Sequence, residues 1–289
     1  MLQLWLNVLA GGALMGVVYA LIAVGLTVIF GVMRIVNFAH GEMVVAGMYV
    51  GFLCADRLGI PALPAAVIAA LLLFVLGYAL QRLVVERFVT RPQHVQFILF
   101  IGLALIITGL HLMAFGPDAR SVQSDLSFDV VSIGPLNLDR SRVDAALAAG
   151  ALILAVAAFL RYAPFGRAVR AAADNRTGGF VIGLNIPRVF AVTAGIGAAC
   201  AGAAGALVTP VFDTQPFLAL DFTLVAFVTV IVGGLGSLAG ALAGGILIGL
   251  AEASAALLID PALKTAFSYA LLVLILLLRP SGLFGAHAH

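Results

Sequence analysis

Apolar residues run along this chain in long blocks with polar residues gathered between them. They neither alternate at the strand period nor fall on a single helical stripe. The blocks occupy 8–30, 43–55, 62–80, 95–115, 144–160, 189–209, 220–232, 238–259 and 262–278. A helix of about 20 residues, rising about 1.5 Å per residue, crosses roughly 30 Å of hydrocarbon. Because the blocks are apolar all round, they fit helices in lipid and not barrel strands, which alternate. The pattern predicts an all-α, polytopic transmembrane bundle of about 8–9 spans. The blocks at 43–55 and 220–232 are short for a clean crossing. Short hydrophobic segments interrupted by glycine are what transporters show where helices break near a substrate path.

Composition sharpens this picture. Of 289 residues, 63% are hydrophobic and 10% charged, against about 25% charged in soluble domains. Mean hydropathy is +1.19. No internal repeat or soluble second domain stands out, so 1–289 reads as one transmembrane domain. No Lys or Arg precedes the first apolar block, and that block exceeds a signal-peptide core, so it is expected to stay in the mature protein. Cys54 and Cys200 both sit in apolar blocks, where packing is a better reading than a disulfide.

The net charge of +2 points to no nucleic-acid partner; the placement of the charges says more. Arg82, Arg87 and Arg91 lie in the connection 81–94, while Arg161, Arg167, Arg170, Arg176 and Arg188 lie in 161–188, and Arg279 follows the last block. The positive-inside rule puts these in the cytoplasm. The segment 116–143 holds Asp118, Asp125, Asp129 and Asp139 against three arginines, and 210–221 holds Asp213 and Asp221 with no basic residue. Both are expected outside. With nine spans, the N-terminus is then outside and the C-terminus in the cytoplasm.

Gly195, Gly197, Gly202 and Gly205 crowd one block, and Gly240, Gly244, Gly245 and Gly249 another. Pairs four apart share a helix face that lets a neighbouring backbone approach, within the bundle or across a subunit interface. Enzyme chemistry finds no foothold. Lys264, the one lysine, has no glycine loop before it, so the phosphate-loop pattern is missing and ATP hydrolysis is not expected of this chain. His40, His94, His111, His287 and His289 show no metal spacing, and no Ser, His and acid set is suggested. No metal and no cofactor is expected.

The stretch VNFAHGEM at 36–43 is the polar exception. A charge at the centre of a membrane helix costs about 2.5 to 3.5 kcal/mol, so Glu42 should be near an interface, paired, protonated or facing water. Residues 8–36 as straight helix extend roughly 43 Å, longer than the hydrocarbon is thick. The motif therefore belongs at the cytoplasmic end of the first span or in a break within the bundle. Asn37 is expected to cap the following helix, leaving Glu42 in its first turn, where the dipole suits a carboxylate. His40 and Glu42 then bond across helices or line a path. Glu252, in GLAEASAAL, is either paired between helices or faces the pathway. The connection 161–188 holds a helix-compatible stretch at 166–176, an expected break at Gly178 and Gly179, and an apolar piece ending at Pro187. It is either a charged loop that fixes topology or a short cytoplasmic helix that docks a partner.

VNFAHGEM, the preceding YALIAVGLTVIFGVM, GGLGSLAGALAGGILIGL at 233–250 and LLRPSGLFG at 277–285, in that order, resemble the membrane permeases of ABC importers of the branched-chain amino-acid type. The likeness is to the member of the permease pair that carries NFAHGE, and it spans nearly the whole chain. It implies a large-permease architecture in a bacterial inner membrane. It also implies a second, homologous permease as heterodimer partner, two cytosolic ATPases and a periplasmic binding protein. The cargo it implies is a branched-chain amino acid or a related small solute such as urea, a short amide or an aromatic acid, moved by alternating access. Asn37, His40 and Glu42, with the turn of Gly233, Gly234, Gly236 and Ser237, would line or gate the path. Arg167, Arg170, Ala171, Ala172, Asp174, Arg176, Gly183 and Pro187 would couple to the ATPase. Ala171, Ala172, Gly183, Ile186 and Pro187 fit the family pattern there, whereas Gly178 and Gly179 stand where alanines are expected. Each glycine weakens a helix by about 0.8 to 1.0 kcal/mol relative to alanine, which implies a shorter or hinged docking helix. A stand-alone carrier or channel and a membrane-embedded enzyme remain the alternatives. Few acids inside spans beyond Glu42 and Glu252 weigh against an ion-coupled carrier.

Overall fold

The computed structural model describes residues 1–122, 129–260 and 263–284. Asp125, His287, His289, Ala262 and Gly285 of the closing motif lie outside them. Among the described residues, nine helices follow the nine apolar blocks. They are α1 (Leu2–Met33), α2 (His40–Leu58), α3 (Ala62–Leu83), α4 (Gln93–Phe115), α5 (Arg140–Tyr162), α8 (Ile186–Val208), α9 (Leu218–Gly233), α10 (Leu238–Leu258) and α11 (Lys264–Leu278). Two short helices, α6 (Pro164–Asp174) and α7 (Arg176–Val181), lie between α5 and α8. Among the described residues, six helices are long and apolar enough to cross a membrane, and α9 and α11 are shorter apolar ones.

Local chemistry sets several boundaries. Asp139 caps α5 by accepting from the N–H groups of Ser141 and Arg142, Asn185 caps α8 at Arg188, and Ser237 caps α10 at Gly240. Each supplies an acceptor to N–H groups that lack an intrahelical partner. Arg34 ends α1 in the left-handed region at φ 57°, rare for a side chain larger than glycine. A two-stranded hairpin, β1 (Val130–Ile133) and β2 (Leu136–Asp139), pairs antiparallel within the acidic connection. The apolar pattern gave no sign of it.

α1 and α8 form the centre, with 78% of their most apolar stretch buried, whereas α4 is peripheral at 11%. Glycine makes the central contacts possible. A Cβ on Gly249 would lie 2.2 Å from the Gly12 oxygen, and one on Gly245 would lie 2.5 Å from the Gly16 oxygen. Two small-residue pairs thus bring α1 and α10 into backbone contact. Gly240 and Gly244 face Gly233 and Thr229 of α9 in the same way. The glycine stripes are therefore packed within this chain. Both cysteines are free and buried.

Polar contacts also hold the centre. Tyr19 Oη on α1 donates to Glu252 Oε2 at 3.0 Å, and Ser268 Oγ on α11 donates to Glu252 Oε1 at 3.3 Å. The carboxylate is thus paired across three helices. Hydrogen bonds between membrane helices are worth about 0.6 to 1.7 kcal/mol. Tyr19→Phe should lower the melting temperature of the detergent-solubilised protein by a matching amount. An unchanged melt would mean that other groups hold Glu252.

The two acidic connections meet at one end of the bundle. Backbone bonds of 2.9 and 2.8 Å join Arg120 to Thr214, and Ser121 Oγ donates to Asp213 Oδ1 at 2.7 Å. The start of α1 is there too, since Asn137 N–H donates to Asn7 Oδ1 at 3.0 Å. The opposite end gathers Arg34 with Arg170 and Asp174 of α6 around one surface recess.

Candidate functional site

The VNFAHGEM stretch does not turn round at the end of α1; it runs back into the bundle. His40 is the first residue of α2, and its Nε2 lies 2.9 Å from the Ile22 carbonyl of α1. A carbonyl can only accept, so Nε2 donates. Ile22 is eleven residues before the end of α1, about 16 Å along a helix. α2 therefore begins inside the bundle. A Cβ on Gly25 would come within 3.1 Å of the His40 ring, so a small residue on α1 leaves the imidazole its space.

Asn37 does not cap α2, contrary to the sequence-based expectation. The residue flanking the helix is Ala39, and Asn37 Oδ1 accepts instead from the Ala39 N–H at 3.0 Å. It closes a tight turn before the helix, a role that asparagine fills as readily as a cap. The buried N–H at the start of α2, which lacks an intrahelical partner, is met from another helix: Gly41 N–H donates to Thr223 Oγ1 of α9 at 2.9 Å. Glu42 does lie in the first turn of α2. Its Oε1 accepts from Thr108 Oγ1 of α4 at 2.8 Å, while Oε2 has no partner among the described residues. His40 and Glu42 are both buried, at 0% and 5% exposure. The motif thus ties α1, α4 and α9 together around the start of α2.

A cavity of about 40 Å³ lies beside it, lined in part by Asn37, His40, Met43, Gln81 and Ile107. That is room for a few waters and not for an amino acid. Thr108 and Thr223 escaped sequence reasoning because an isolated threonine in an apolar helix carries no signal; only the packing shows what it faces.

The glycine-rich turn stands apart from this joint. Gly234 and Gly236 take φ of 104° and 86°, which glycine alone adopts cheaply. Ser237 caps α10, and Gly233 packs against Gly240. The closing motif folds onto the turn: Leu283 N–H donates to Val232 O and Phe284 N–H to Gly233 O, both at 2.9 Å. Gly31 of α1 lies 3.8 Å from Gly236 by its would-be Cβ. The motifs at 233–250 and 277–284 are therefore one packed unit beside the end of α1.

In 161–188 the break falls at Asn175, not at Gly178 and Gly179. Asn175 is extended, ends α6, and caps α7 by accepting from the Gly178 N–H at 2.8 Å. The glycine pair sits inside α7, where a Cβ on Gly179 would meet Ile186 at 3.2 Å. A capping side chain thus outweighs the poor propensity of the glycines. Arg167, Arg170, Asp174 and Arg176 are exposed, Ala172 is buried, and Ala171 and Pro187 are half-buried. Arg170 Nη1 donates to the Leu160 carbonyl at the end of α5, and the Arg176 guanidinium lies 5.0 Å from the centre of the Phe190 ring. Gly183 turns the chain at φ 84°. Phe180, Val181 and Ile182 project at 73%, 78% and 72% exposure.

Among the described residues no group of His, Cys, Asp or Glu could hold a metal. The chain matches a family model described as branched-chain amino acid transport system, permease component, over residues 8–276. It is 30% identical to the high-affinity branched-chain amino acid transport system permease protein LivH of Salmonella typhimurium, over 97% of this chain and 96% of that protein. Identity to LivH of Escherichia coli K12 is 29%, over the same shares of the two chains. BraD of Pseudomonas aeruginosa, of the same description, is 27% identical over 97% and 96%. No solved structure matches. A bundle of apolar helices, closed around a buried polar joint, and a match over nearly the whole chain lead to one conclusion: this multi-pass membrane protein belongs to the branched-chain amino acid transport permease family.

Proposed function

We propose that the chain is the permease subunit of an ATP-binding-cassette importer in a bacterial inner membrane. It carries branched-chain amino acids from the periplasm to the cytoplasm by alternating access. The family match over 8–276 carries this reading. In it the basic end, with the C-terminus, faces the cytoplasm and the acidic end faces the periplasmic binding protein, in keeping with the positive-inside rule. A second permease completes the transmembrane unit, and two cytosolic ATPases supply the work. Asn37, His40 and Glu42 lie on or beside the solute path, and the 233–237 turn transmits movement between α9 and α10.

The segment 161–188 serves as the coupling element. Three consecutive exposed apolar side chains, Phe180 to Ile182, flanked by exposed arginines at the basic end, support a protein partner there. Arg170 adds a mechanical link, since it bonds carbonyls at the end of α5; a push on α6 would reach a membrane span directly.

The test is ATPase activity of the purified complex, stimulated by loaded binding protein. Arg170→Glu and Arg176→Glu together should bring the stimulated rate down to the basal one while the subunits still co-purify. Full stimulation with normal assembly would remove this segment from the mechanism.

A further inference from the structure

We propose that the non-helical segment 34–39 is a second coupling arm, which carries movement of α6 to the buried start of α2, with Ile35 as the residue that α6 pushes on. This rests on the importer reading above, in which 161–188 meets the ATPase, and deepens it by naming what receives the movement inside the permease.

α6 has two faces. Arg167, Arg170 and Asp174 are exposed, whereas Gly166, Val169 and Ala172 are buried, three residues apart and so on one side of the helix. Its start is seated on α5 without slack, since a Cβ on Gly166 would collide with the Leu160 carbonyl oxygen, to which Arg170 also donates. Further along, Val169 and Ala172 enter a buried apolar cluster with Ile35 and Ala39. The main apolar core is a separate cluster, and none of these four residues belongs to it. The end of α1 meets the same helix at the surface, where Gly31 and Arg34 line a recess with Arg170 and Asp174.

Of the elements that α6 packs on, 34–39 is the one able to yield. α5 and α8 are helices of 23 residues each, held by their own hydrogen-bond ladders. No ladder runs from Arg34 to Ala39: the Arg34 N–H donates back to the Phe30 carbonyl at 2.9 Å, and the Ala39 N–H turns to the Asn37 side chain. Arg34 is the one residue other than glycine with a left-handed φ among the described residues. That conformation, usually left to glycine, stops α1 at once and frees the chain beyond it.

The arm is short and firmly gripped at its far end. His40 follows Ile35 by five residues. Between them Phe38 packs against Phe97 of α4 and Phe227 of α9, at 4.7 and 4.9 Å between ring centres. Just beyond, Gly41 is bonded to Thr223 of α9. A shift of Ile35 therefore moves Phe38 between α4 and α9 and turns the start of α2 against α1. Close-packed side chains pass such a push on instead of absorbing it.

The test uses the complete complex of permeases, ATPases and loaded binding protein in lipid vesicles. Ile35→Ala opens a gap where α6 meets the arm. Val85→Ala controls for lost packing: Val85 belongs to the same cluster and is as buried, at 4% against 3% exposure, but sits on the single turn Val85–Phe88 after α3. In Ile35→Ala the ATPases still cycle but no longer move the joint, so ATP hydrolysed per leucine taken up should rise about tenfold or more. Val85→Ala and the conservative Ile35→Val should stay within about twofold of the wild type. Val169→Ala trims the same contact from the α6 side and should reproduce the rise, which keeps the test open should Ile35→Ala fail to assemble. Deuterium exchange of the peptide 36–43 gives a second readout that needs no cargo. It should differ between nucleotide-free and ATP-trapped complexes in the wild type and in Val85→Ala, and be the same in both states in Ile35→Ala. A ratio raised equally by Ile35→Ala and Val85→Ala would overturn the arm, and so would a wild-type peptide that ignores ATP or an Ile35→Ala peptide that still responds. Failure of the importer reading shows earlier, in the wild type: a chain that recruits no ATPase would overturn that reading and the arm with it, whereas exchange that responds to ATP without leucine uptake would overturn the cargo alone.

Discussion

Gly41→Ala is expected to abolish assembly of the folded permease. A Cβ at this position would lie 1.8 Å from the Ala219 carbonyl oxygen, 2.4 Å from Thr223 Oγ1 and 2.8 Å from the Thr223 nitrogen. Two of the three obstacles are backbone, which no rotamer change can clear. The start of α2 would have to leave α9, breaking the Gly41 to Thr223 bond and stranding a buried N–H. Overpacking costs about 1 to 3 kcal/mol even where side chains can adjust, and a stranded buried donor adds about 1 to 3 more. The complex should be lost from detergent extracts, or melt well below the wild type. Gly102→Ala and Gly109→Ala on α4 are the controls, since nothing lies within 4 Å of either would-be Cβ. Alanine favours helix over glycine by about 0.8 to 1.0 kcal/mol, so both should be neutral or slightly stabilising. A Gly41→Ala protein that melts like these two would mean that α2 and α9 are not packed as described.

Glu42→Gln is expected to keep assembly and lose uptake. Glutamine has the same shape and still offers an oxygen to Thr108, so the α2 to α4 contact survives. What disappears is the capacity to carry a negative charge. A hydrogen bond to a charged group is worth about 1.5 to 3 kcal/mol, and each 1.4 kcal/mol is about tenfold. Uptake of leucine at limiting concentration should fall by about tenfold to a hundredfold, with subunits recovered in normal proportion. His40→Ala should behave differently: it removes a fully buried side chain that joins α2 to the Ile22 carbonyl, so assembly itself should suffer. Full uptake by Glu42→Gln would take the carboxylate off the path and leave it a purely structural bond.

Several features were legible before any coordinates. Each apolar block became one helix, because in lipid a backbone has few ways to satisfy its own polar groups and the helix is the one that needs no partner. The small-residue pairs at 240, 244, 245 and 249 did mark close approach. What they could not show was the other half of the contact, Gly12 and Gly16, which had drawn no attention on their own. The expected break at Gly178 and Gly179 went wrong for a similar reason. Propensity argued against helix at the pair, but the Asn175 side chain and the packing of Gly179 against Ile186 decided the matter. Asn37 was read as a cap from its type, yet a turn two residues long met its oxygen first.

By itself the sequence determined that this is a helical membrane protein, where its apolar helices lie and which connections are basic. Those properties follow from the cost of placing polar groups in hydrocarbon, paid residue by residue along the chain. Only the tertiary structure decided that α2 starts deep in the bundle beside Ile22, and that Glu42 bonds Thr108 sixty-six residues away. It alone brought the 233–250 and 277–284 motifs into one unit. Contacts between helices distant in sequence depend on which backbones can approach and which polar atoms face one another. No local pattern encodes that pairing, because in lipid each helix forms first on its own account and finds its neighbours by shape and hydrogen bonding afterwards.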